Sequence, residues 1–118
     1  MPPDIPELIA AEDAKLITLA RASRARIQAA EGAAVRDLDG RTYTAASVSL
    51  PSLTLSALRL ATAMAVSSGA RGLEAGALVT DADGPTADDL AAVRDLAGVG
   101  VSVHVTDSSG SPRAVTIT

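Results

Sequence analysis

The 118-residue sequence contains a single aromatic side chain, Tyr43, and no Phe or Trp, although 47% of its residues are hydrophobic. Its core must therefore be assembled from Leu, Val, Ile and Ala. That palette suits thin, closely packed helices and strands better than layers of large rings. Exposed rings on which bases could stack are missing as well, which argues against nucleic-acid binding by stacking. The charge balance agrees: 10 basic against 14 acidic residues give a formal net charge of −4, the wrong sign for a phosphate backbone. No nucleic-acid partner is expected. A chain of this length buries roughly two-thirds of its unfolded surface, so it folds without a disulfide or a metal.

Pro2, Pro3 and Pro6 mark residues 1–7 as a flexible lead-in, and 8–118 is expected to be one domain. No run reaches the ~18 apolar residues of a membrane span, and the acidic start lacks the basic-then-apolar order of a secretory leader. No membrane partner is expected. There is no cysteine, and the expected location is the cytoplasm.

From Leu8 to Ala30 the pattern is helical, with Leu16, Leu19, Ala20, Ser23 and Ile27 at three- and four-residue steps, and Gly32 ends it. Ala33 to Arg36 and Arg41 to Val48 are extended runs around Asp39-Gly40, a hairpin signal because Gly accepts the positive φ of tight turns. Pro51-Ser52 is expected to open a second helix, with Ser52 as its cap and Leu53, Ala57, Leu60 and Met64 on one stripe. It is apolar around much of its circumference, so burial on more than one side is expected. Leu73 to Thr80 reads as a central strand. Thr86-Ala87-Asp88-Asp89 is a capping-box variant opening a third helix with Leu90, Val93 and Leu96 on its stripe. Val99 to Val105 and Arg113 to Thr118 complete the strands. The order helix, two strands, helix, strand, helix, strand, strand implies an α/β domain with a mixed sheet of about five strands and helices on both faces.

Several strings in this order resemble the small cytidine deaminase family. Its pattern is a Gly-Ala-Ala strand, an Asp-Gly turn, a Tyr-Thr strand and a helix opening with Cys-Ala-Glu-Arg. Here the corresponding strings are Glu31-Gly32-Ala33-Ala34-Val35, Asp39-Gly40-Arg41-Thr42-Tyr43-Thr44 and Ser56-Ala57-Leu58-Arg59. Where the family has a Pro-Cys-x-x-Cys motif after its central strand, this chain has Pro85-Thr86-Ala87-Asp88-Asp89. The resemblance implies a three-layer α/β/α cytidine deaminase-like fold, and a dimeric or tetrameric state with the second helix near the subunit contact.

Deaminases of this kind use a zinc ion to make hydroxide from water and a glutamate to shuttle protons. Carried over by position, the first ligand falls on Ser56, the two cysteines on Thr86 and Asp89, and the glutamate on Leu58. Neutral hydroxyls are poor zinc ligands, and leucine accepts no proton. The segment that holds the ribose in the family, Asn-Val-Glu-Asn, is replaced by the stretch containing Ser47 and Ser49, about two residues shorter. These readings leave a degenerate pocket of Ser47, Ser49, Ser56, Leu58, Thr86 and Asp89, with no catalytic residue, no metal and no cofactor. The expected protein is a catalytically inactive interaction or scaffold domain, a homo-oligomer with room for a protein partner. The alternatives are a binding module that keeps the pocket for a nucleoside or other small polar ligand, and an active deaminase with an atypical site.

Other constellations carry less. Arg21, Arg24 and Arg26 read as a solvated helix face more readily than a docking patch. Asp81, Asp83, Asp88 and Asp89 lack the downstream Glu of a calcium loop and read as helix-capping acids. Ser52, Ser56, Ser67 and Ser68 lack a nucleophile elbow. The only histidine, His104, reads as a strand residue with an ordinary hydrogen bond.

Overall fold

A computed structural model describes residues 9–118; the lead-in expected over 1–7 lies outside them. In chain order the elements are α1 (Ala11–Ile27), β1 (Glu31–Asp37), β2 (Thr42–Ala46), β3 (Val48–Leu50), β4 (Leu53–Leu55), α2 (Ala57–Ser67), β5 (Leu73–Thr80), α3 (Ala87–Ala97), β6 (Ser102–Thr106) and β7 (Pro112–Ile117). Five strands form one sheet in the order β2-β1-β5-β6-β7, and β3 pairs with β4 in a separate hairpin. β5 and β6 run parallel, and the other four pairs among the described residues are antiparallel.

β5 lies at the centre, buried at every position except Glu74. One face of the sheet presents Ala34, Ala75, Ala77 and Val79 to Leu16 and Ala20 of α1. The other packs Ala33, Val35, Leu78 and Val103 against Ala57, Leu58, Ala61 and Ala65 of α2 and Val93 of α3. This is the expected α/β/α layering. Small side chains let the helices come close: a Cβ at Gly32 would strike the Ala20 carbonyl oxygen. An aromatic-free core is therefore filled by approach rather than by bulk.

Two polar fixings orient the layers. Asp13, in the first turn of α1, accepts a hydrogen bond from Arg36 Nη2 at 2.9 Å, and its other oxygen lies 3.0 Å from His104 Nε2. Arg36 Nε also donates to Glu74 at 2.8 Å. Burial alone raises the Asp13 carboxyl, but the bonds from Arg36 and His104 outweigh it and hold the group below its ordinary range. His104 thus has the expected strand position and hydrogen bond. At the β1–β2 turn, Asp37 accepts from the backbone N–H groups of Asp39 and Arg41 and from the Tyr43 hydroxyl, and Gly40 takes φ +86°. The lone aromatic thus ties down a turn with its hydroxyl while its ring packs, half-buried, against the core.

The structure departs from the sequence reading chiefly between residues 46 and 57. Pro51-Ser52 does not open a helix; it turns the β3–β4 hairpin, in which Val48 pairs with Leu55 and Leu50 with Leu53. The Leu-Thr-Leu string alternates as a strand does, and the helix waits for Ser56, whose Oγ accepts from Arg59 N. The run expected from Arg41 to Val48 breaks at Ser47, whose backbone N–H donates to the Glu31 carbonyl. α2 is also less enclosed than expected, with Met64 38% and Val66 54% exposed.

Candidate functional site

The site forms where the starts of α2 and α3 meet beyond the end of β5. Ser56 is the N-cap of α2 and Thr86 the N-cap of α3, both in extended backbone conformation. The Thr86 Oγ1 accepts from Asp89 N at 3.1 Å, and Asp89 Oδ2 accepts from Thr86 N at 3.0 Å, closing the capping box. The second oxygen, Oδ1, accepts the Ser56 hydroxyl at 2.5 Å. A single carboxylate, only 1% exposed, thus joins two helix N-termini. Negative charge there is favoured by both helix dipoles and by the free N–H groups of both first turns.

Beside this clamp lies a cleft of about 520 Å³ whose walls include Ser47, Ser49, Ser56, Arg24, Glu31 and Asp81. Ser47 is partly committed, because its Oγ accepts from Glu31 N at 3.1 Å. Of the six positions expected from the sequence, Ser47, Ser49 and Ser56 line the cleft, and Thr86 and Asp89 join it through the Ser56 bond. Leu58 does not reach it; it is fully buried against the sheet among Ala33, Val35 and Leu78.

A family profile described as cytidine deaminase-like matches residues 9–110. The chain belongs to the cytidine deaminase-like family. A cytidine deaminase from Burkholderia pseudomallei matches at a TM-score of 0.78 and 26% identity, over 92% of this chain and 93% of that one. One from Mycobacterium tuberculosis matches at 0.66 and 25%, over 84% and 86%. One from Mycobacterium leprae, at 0.72 and 21% over 92% and 94%, is alike in fold alone. No curated protein matches.

The zinc that the cytidine deaminase-like family implies does not fit these residues. Two of the three ligand positions hold neutral hydroxyls, and the third is a carboxylate whose two oxygens are already engaged by Ser56 and Thr86. Among the described residues no three His, Cys, Asp or Glu side chains gather as a metal cluster. With Leu58 in the core, no carboxylate stands where the family's proton shuttle would be. The arrangement can hold and orient hydrogen-bonding groups.

Sequence reasoning missed three charged groups. Arg21 and Arg26 are exposed as expected, but Arg24 turns onto the cleft, its side chain 27% exposed. The signal was present: Arg24 follows Leu16 and Ala20 at four-residue steps, on the buried stripe of α1. Asp81 caps no helix; its Oδ1 accepts from Ser108 N at 3.0 Å, and Ser108 holds its carboxyl below the usual range. Glu31 sits at the start of β1 opposite Thr80, and nothing in the sequence set it apart. Asp89 alone among the four acids completes a capping box.

Replacing the clamp should cost stability at both helices. Asp89→Ala removes a cap partner worth about 1 kcal/mol and a charge-assisted bond worth about 1.5–3 kcal/mol, so a loss of about 3 kcal/mol in urea unfolding is expected. Asp89→Asn keeps an acceptor and should lose less. An Asp89→Ala variant within about 0.5 kcal/mol of wild type would show that the clamp is incidental.

Proposed function

We propose that this cytidine deaminase-like chain does not deaminate and acts as an interaction or scaffold domain in the cytoplasm. The observation that carries the reading is the Asp89 clamp: the ligand positions are tied to one another, and the proton-shuttle position is sealed in the core. An attack of water on the amidine carbon of cytosine needs a metal-bound hydroxide and an acid–base group, and neither has a donor set here. A second reading is favoured by the cleft of about 520 Å³ beside Ser56, a volume within the range of small-molecule sites. In that reading the protein binds a nucleoside or other small polar ligand without turning it over.

Incubation of the purified chain with cytidine and added zinc tests both. No uridine above the uncatalysed background is expected, and a rise in melting temperature with cytidine would favour the binding reading. Steady formation of uridine would refute both.

The interaction reading also includes self-association. α2 leaves two apolar side chains exposed, Met64 and Val66, and exposed apolar side chains are the kind that a second copy can cover. No helix among the described residues is long and apolar enough to cross a membrane. Light scattering at micromolar concentration should give at least twice the chain mass, reduced toward one chain by Val66→Asp. A wild-type monomer would remove self-association from the account.

A further inference from the structure

We infer that the cleft takes a small dipolar molecule of the α-amino-acid class, its carboxylate on Arg24 and its ammonium toward Glu31 and Asp81. The inference rests on the reading of the cleft as a binding site and specifies what it binds. Its starting point is an under-paired arginine. Arg24 lies close over Gly32, where an added Cβ would come within 2.8 Å of the Arg24 Cβ. Among the described residues its Nε is buried with no hydrogen-bond partner, and its Nη2 has one carboxylate in range, Asp81 Oδ2, at 3.9 Å. Asp81 meanwhile spends its other oxygen on Ser108 N. With Nε buried and no acceptor close to it, the guanidinium gains when an anionic oxygen group comes within hydrogen-bond distance.

The rest of the lining selects what else that anion must carry. Arg24, Glu31 and Asp81 all face the cleft, one positive charge against two negative. A simple anion would meet Arg24 but be repelled by two carboxylates. A simple amine would meet the carboxylates but be repelled by Arg24. A molecule with both charges carried on one carbon meets each with its opposite and adds no net charge to the site. Between these groups, Val48 and Leu55 supply apolar wall, and the Ser49 side chain supplies a hydroxyl.

Isothermal titration of the wild-type chain with free α-amino acids, their decarboxylated amines and their N-acetylated acids decides the matter, with cytidine and uridine run in parallel. At least one free amino acid should bind, with its amine and its acetylated acid each at least about tenfold weaker. Arg24→Gln and Glu31→Gln should each weaken that amino acid by a similar factor, and Arg24→Lys should recover part of the loss. The wild-type comparison stands even if a variant folds poorly. Equal binding of an amine or an acetylated acid would overturn the dipolar assignment. Binding of nucleosides with none of amino acids would overturn the ligand class and leave the cleft a binding site. Silence from every probe would overturn the inference and the binding reading together.

Discussion

A buried carboxylate between two helix N-termini organises this end of the molecule. Asp89 accepts the Ser56 hydroxyl from α2 and the Thr86 N–H from α3, so one side chain fixes where both helices begin. Helix starts are places of unpaired donors and partial positive charge. A fold that brings two of them together needs something negative and hydrogen-bonding at the junction. In the family pattern, cysteines that hold zinc occupy these positions. Here a carboxylate and two hydroxyls satisfy the same backbone through hydrogen bonds.

The exchange has a functional consequence. The clamp uses the lone pairs and hydroxyls that a ligand or metal would need, and Leu58 gives its position to the core, where it packs with Ala33, Val35 and Leu78. The cleft draws its walls from Arg24 of α1, Glu31 of β1, the end of β5 and the β3–β4 hairpin, and Ser56 is the one former ligand position among them. Charge has gathered there instead, in Arg24, Glu31 and Asp81. Loss of the zinc ligands and retention of a cleft are therefore compatible in one molecule.

The layered α/β fold was legible in the sequence because its signals are local. Asp39-Gly40 marked the first hairpin, the apolar run Leu73 to Thr80 marked the central strand, and Thr86 with Asp89 marked the start of α3. The β3–β4 hairpin was not legible, since Leu53-Thr54-Leu55 serves a helix stripe as well as a strand, and Pro51-Ser52 caps a helix as readily as it turns a hairpin. The pairing of Ser56 with Asp89 joins residues 33 positions apart and depends on tertiary placement that no local pattern carries. Arg24 lies between these cases: its four-residue spacing from Ala20 put it on the buried stripe, but its charge and its neighbours Arg21 and Arg26 pointed to solvent. Family resemblance pointed to six positions, and five of the six lie at the cleft or its clamp.

The account stands on the claim that hydroxyls and a fully engaged carboxylate have replaced the donors of a zinc site. Elemental analysis of the chain, expressed with zinc in the medium and purified without chelators, tests this directly. The account predicts zinc far below one atom per chain and no change after dialysis against a chelator. One tightly held zinc per chain, lost together with the fold or with any deaminase activity, would contradict it.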